Sequence, residues 1–82
     1  MFFSAFELVA AKKYCFPQAK YGHENMGDGH ATPASCAARC KHAKLFHHTP
    51  SMGFCGCYTK TDEDGKCITR SSGIGSNTYR WI

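Results

Sequence analysis

CAARCKHAKLFHHTPSMGFCGC, residues 36–57, carries four cysteines in two close pairs, Cys36 with Cys40 and Cys55 with Cys57. Such a block is a metal site, a redox site or a pair of staples. Residues four apart on a helix share a face and lie about 6 Å apart along its axis. Residues two apart on a strand point to the same side, about 6.6 Å apart. The intervals match, so a helix laid along a strand can make two neighbouring bridges with little strain. Antiparallel elements would join Cys36–Cys57 and Cys40–Cys55; parallel elements would exchange the partners. The short connection from Leu45 to Phe54 favours the antiparallel set.

The competing chemistries fit less well. An all-thiolate zinc site at Cys36, Cys40, Cys55 and Cys57, with His42, His47 or His48 as substitutes, lacks the usual C-x2-C knuckles. A redox site wants C-x-x-C beside a βαβ pattern, and neither occurs. Two further cysteines remain, Cys15 and Cys67. Bridging them closes a long loop worth roughly 4 kcal/mol in the chain-entropy model. The expected framework is therefore three bridges, with no metal and no cofactor.

An 82-residue chain is enough for a single domain over 1–82. At that size a hydrophobic core gives only a few kcal/mol, so staples are expected. Bridged cysteines imply an oxidising compartment: extracellular, cell-surface or lumenal. The ten Lys and Arg are scattered and the net charge is only +4, which is no nucleic-acid footprint. No apolar stretch is long enough to span a bilayer. The start, MFFSAFELVAAKK, lacks a positive n-region, and Glu7 interrupts its apolar run, so it reads as part of a mature or trimmed chain. Within it, residues 1–5 are expected to form an apolar docking segment unless they pack internally.

Local signals place the elements. Phe6-Glu7-Leu8-Val9 alternates and reads as a strand running toward Tyr14-Cys15. Gln18 to Ala31 is polar and glycine-rich and reads as loop. Thr32 caps a helix, Pro33 opens it, and the alanine-rich run from Ala34 to Lys44 predicts about three turns. Leu45-Phe46 reads as a short strand, His47 to Gly53 as a turn, and Phe54 to Thr59 as a strand. Thr61 to Gly65 is a turn that lacks the spacing of a calcium loop. Cys67-Ile68-Thr69 and Thr78 to Ile82 complete an α+β domain, with a Gly/Ser loop between them.

Several of these residues resemble PAN/apple domains: Tyr14-Cys15, the helix Thr32-Pro33-Ala34-Ser35-Cys36-Ala37-Ala38-Arg39-Cys40, the strand Phe54-Cys55-Gly56-Cys57-Tyr58, and the closing Asn77-Thr78-Tyr79-Arg80-Trp81. The resemblance implies a twisted antiparallel sheet cradling one helix, with disulfides pinning the two. It also implies an outer bridge between the terminal strands, the part Cys15–Cys67 would play. The chain departs from the family in lacking a cysteine near Leu45 or Phe46. Its Cys55-Gly56-Cys57 is similar instead to the WSC domain, a module that usually carries eight cysteines. Both families bind protein or carbohydrate partners rather than catalyse.

No G-x-S-x-G, P-loop or H-E-x-x-H motif occurs, and bridged cysteines leave no thiol nucleophile, so the chain is expected not to be an enzyme. The candidate binding residues are the amphipathic rings Tyr21, Tyr58, Tyr79 and Trp81, with Phe2 and Phe3 at the start. Their competing role is to fill the core. His23, Glu24, Asp28 and His30 are metal-ligand types but read as a solvated loop, and His47-His48, which would otherwise add a pH-dependent contact, as an exposed turn. The expected function is an extracellular or lumenal recognition module for a protein or glycan. Its rival is a small structural or accessory subunit of a larger assembly, membrane-associated or not.

Overall fold

The computed structural model describes residues 5–9, 17–61 and 75–82. The helix starts where local chemistry directs it. Thr32 is extended, its Oγ1 accepts the Ser35 N–H at 3.1 Å, and Pro33 occupies the first turn. The cap satisfies one of the unpaired N–H groups of a helix start, and proline sacrifices none that would be bonded.

The helix, α1, spans Pro33–Arg39. That is about two turns, shorter than the expected run to Lys44, and the cause is tertiary. Cys40 is tied to the sheet, and the Lys44 N–H already donates to Tyr58 O at 2.8 Å. Between them the chain closes a tight turn, Ala43 N–H to Cys40 O at 2.9 Å. Helix propensity over 41–44, worth tenths of a kcal/mol per residue, loses to these contacts.

The described residues form five strands, in chain order β1 Phe6–Leu8, β2 His23–Asn25, β3 Leu45–Thr49, β4 Phe54–Tyr58 and β5 Asn77–Trp81. They form one antiparallel sheet in the order β1-β5-β3-β4-β2. Two stretches differ from expectation. The loop over 18–31 contains a 3-10 turn, Gln18–Tyr21, and the edge strand β2. His23-Glu24-Asn25 has no apolar alternation, so only its pairing with β4 makes it a strand. The turn expected from His47 begins at Pro50 instead, because β3 continues through His47 and His48 to Thr49 with all five residues buried. Gly53 completes the β3–β4 turn at φ 68°, with its N–H on Thr49 O at 2.8 Å. A side chain there would meet the His30 backbone N at 3.0 Å, so glycine is required on two counts.

Register divides the residues between two faces. Phe6, Phe46, His48, Cys55, Cys57, Tyr79 and Trp81 lie on the helix side. Leu45, His47, Thr49, Gly56, Tyr58 and Thr78 lie on the other. The bridges are Cys36–Cys55 and Cys40–Cys57, with Cα separations of 5.4 and 5.5 Å. This corrects the antiparallel pairing expected from the short connection. Between Leu45 and Phe54 the chain builds a whole strand and then reverses. It thus turns back twice between α1 and β4, which run the same way. Sulfurs of the two bridges, Cys40 Sγ and Cys55 Sγ, come within 3.8 Å of each other.

The main core is Cys36, Ala37, Cys40, Ala43, Phe46, Cys55 and Cys57, with Phe6, Met26, Tyr79 and Trp81 packed against it. A second cluster, Tyr21, Leu45 and Tyr58, fills the opposite face. The result is a small disulfide-rich α+β domain. No helix among the described residues is long and apolar enough to cross a membrane. The expected Cys15–Cys67 bridge, the Cys67–Thr69 strand, most of the Thr61–Gly65 turn, Tyr14, Phe2 and Phe3 lie outside the described residues.

Candidate functional site

The candidate aromatic residues divide sharply. Tyr21 and Tyr58 are buried, and the Tyr58 hydroxyl accepts a hydrogen bond from Gln18 Nε2 at 2.9 Å. They are core residues and not a binding platform. One helix covers one face of the sheet, so the other face needs its own large rings, and tyrosine supplies bulk plus a polar end that finds a partner. Tyr79 and Trp81 are half-buried. They join Phe6 and Phe46 in one aromatic cluster. Phe6 meets Phe46, Tyr79 and Trp81 edge-on at 5.2, 5.5 and 6.0 Å, and Phe46 stacks on Tyr79 at 5.2 Å.

α1 packs mainly over β3 and β4. The cluster continues past it onto β5 and β1, where Leu8 is 63% exposed. The alternation Phe6-Glu7-Leu8 could have shown that Phe6 and Leu8 share this face. What it could not show was that β1 pairs with β5, far along the chain. On the opposite face Glu7 pairs with Arg80.

The histidines are placed quite differently from an exposed turn. His47 sits in β3, on the face away from the helix. Its Nε2 lies 3.2 Å from His23 Nε2, and its Nδ1 lies 3.3 Å from Ser76 Oγ. Rings of Tyr58 and Phe54 flank it, at 5.6 and 5.4 Å between centroids, and Tyr58 also packs against His23 at 4.8 Å. Burial, and then the neighbouring His23, push the His47 pKa down to about 4. Burial also lowers that of His23, against an upward pull from Glu24. Both imidazoles are therefore neutral at pH 7.

His48 points to the helix side and is 1% exposed. Its Nε2–H donates to His30 O at 2.6 Å, which fixes the tautomer, because a carbonyl only accepts. The stretch from His23 to His30 does not converge on one point. His23 meets His47, Glu24 pairs with His42, and His30 donates from Nε2 to Met26 O at 3.1 Å. Asp28 is exposed. Nor can the central cysteines hold zinc: Cys36, Cys40, Cys55 and Cys57 are all consumed in bridges, which leaves no thiolate.

Gly56 makes the histidine pair possible. A Cβ there would stand 2.0 Å from His47 Nε2, 2.7 Å from its Cδ2 and 2.9 Å from His23 Nε2. Gly56→Ala is therefore expected to destabilise by about 1–3 kcal/mol, the usual cost of overpacking. Urea denaturation would measure it. An unchanged midpoint would mean that the His47 ring is not held in place. Comparison with protein-family models, with curated proteins and with solved structures finds no match to this chain, so a functional reading has to rest on these residues.

Proposed function

We propose that the chain is a non-enzymatic recognition module of an oxidising compartment, extracellular, cell-surface or lumenal, that binds a protein or carbohydrate partner. The observation that carries this reading is a rigid frame beside an open aromatic edge. Two adjacent bridges fix α1 on the sheet, and the cluster of Phe6, Tyr79 and Trp81 runs out to the exposed Leu8. Disulfides persist where thiols are not kept reduced, which supports the compartment. A helix pinned to an antiparallel sheet supports the resemblance to PAN/apple domains, while Cys55-Gly56-Cys57 keeps the likeness to WSC modules.

Aromatic rings beside an aliphatic side chain are the composition of protein-interface centres, so a protein partner is the favoured case. Pull-down and a glycan array with the oxidised protein test it; no ligand in either removes the reading. Leu8 lies on the surface, so Leu8→Glu should keep the fold and weaken capture at least tenfold, about 1.4 kcal/mol. Circular dichroism of the variant checks the first half of that statement. The accessory-subunit reading draws on Ile82, 80% exposed next to β5. Size-exclusion chromatography separates the two: a module stays monomeric alone, and an orphaned subunit self-associates.

A further inference from the structure

We propose that His23 and His47 form a two-nitrogen site for a borderline divalent cation of the zinc class, on the sheet face opposite the helix. Two imidazole nitrogens bound to one tetrahedral ion at 2.0–2.1 Å stand about 3.3 Å apart. His23 Nε2 and His47 Nε2 stand 3.2 Å apart, on strands separated by β4. The strand between them places Gly56 under the meeting point, and any larger residue would occupy it.

Three further features suit a ligand pair. First, the outer nitrogen of His47 faces Ser76 Oγ at 3.3 Å. A hydrogen bond from Nδ1–H to that oxygen leaves the Nε2 lone pair for the ion and fixes the ring, the usual supporting arrangement around a metal histidine. Second, His47 is buried between aromatic rings while His23 is only half-buried, so one member of the pair is fixed and the other is partly accessible. Third, both donors are imidazoles and no thiolate is nearby among the described residues, a donor set that suits zinc, copper(II), nickel and cobalt and not calcium or magnesium. Glu24 is not part of the site: it follows His23 on the strand, points to the other face and pairs with His42.

The same separation also fits a plain N–H···N hydrogen bond, and the proton inventory distinguishes the two. A hydrogen-bonded pair keeps one hydrogen on an Nε2. A metal pair needs both hydrogens on the Nδ1 atoms.

The test uses the oxidised full chain, stripped with EDTA and titrated with zinc by calorimetry, with 15N spectra of the histidines recorded in parallel. A single equivalent of zinc should bind, and both His23 and His47 should become Nδ1–H tautomers. His23→Gln should weaken binding at least tenfold, and His42→Gln should leave it unchanged. His47→Gln should behave like His23→Gln; if that buried variant does not fold, the half-exposed His23→Gln decides alone. No zinc uptake, uptake unaffected by His23→Gln, or an Nε2–H signal of His23 or His47 persisting in the zinc-loaded protein would each overturn the proposal.

Discussion

Loss of both central bridges leaves the chain without a stable fold. Removing one, as in the double variant Cys40→Ala/Cys57→Ala, is expected to cost about 3 kcal/mol, because the bridges close loops of this size. The sequence separations are 17 and 19 residues, so the two are nearly equal in this respect. A domain of this length has a total stability on the order of 5–10 kcal/mol. The two losses do not simply add. The loops overlap along the chain and the sulfurs touch, so the second removal acts on an already altered site. What remains of that core after both are gone is Ala37, Ala43 and Phe46, with the partly buried Phe6, Met26, Tyr79 and Trp81 at its margin, a thin apolar layer to hold a two-turn helix. Urea denaturation of the single-bridge variants, and near-ultraviolet circular dichroism before and after reduction, measure the effect. A reduced protein that keeps its dichroism and a cooperative transition would show that the helix is held by packing alone. Partial reduction with stepwise alkylation tests the pairing itself: recovery of Cys36–Cys57 would contradict the parallel course of α1 and β4.

That pairing marks the boundary of what sequence could supply. Equal sulfur spacing on helix and strand is a local property, and it correctly indicated two staples joining α1 to β4. The direction of α1 relative to β4 depends on how many times the chain reverses between them. That number is lost when Leu45 to Phe54 is counted as one short connection, because the strand within it reads as ending at Phe46. Two histidines and a threonine before a proline carry no apolar alternation, so they read as turn. They are strand because β4 and β5 bond β3 on both sides and cover it. The same error hid the histidine pair, since His23 and His47 lie 24 residues apart and meet only when β2 and β3 flank β4. The helix start, by contrast, was legible because Thr32 and Pro33 act within one turn of themselves. The aromatic candidates were half legible. Tyr21, Tyr58, Tyr79 and Trp81 read as binding rings with core filling as the competing role; a two-faced sheet has two cores to fill, and Tyr21 and Tyr58 fill the second.

Acid should destabilise the metal-free protein by about 3 kcal/mol as the pH is lowered from 7.5 to 4, most of it lost before pH 5. The cause is His47, whose pKa falls from 6.5 in the unfolded chain to about 4 in the folded one. Above pH 6.5 both states hold a neutral imidazole, and its full contribution is present. Between 6.5 and 4 the unfolded chain takes up a proton that the folded chain refuses, so each step downward favours unfolding. Below 4 both states are protonated and no more is lost from this group. Among the described residues, the surroundings of His47 offer the charge little relief. β2 presents His23, itself a base, β4 presents the rings of Tyr58 and Phe54, and Ser76 supplies a neutral hydroxyl. The nearest carboxylate in this set is Glu24, which acts on His23 and is paired to His42 on the other face. Protonating both members of the pair would place two cations 3.2 Å apart. Guanidinium midpoints measured in EDTA at pH 7.5, 6, 5 and 4 give the profile. The interval from 6.5 to 5 is the informative one, because ordinary carboxylates begin to protonate only below it. A flat profile there would mean that the pair opens and hydrates without cost, and that β2 is not held against β4 by the contact of His23 with His47.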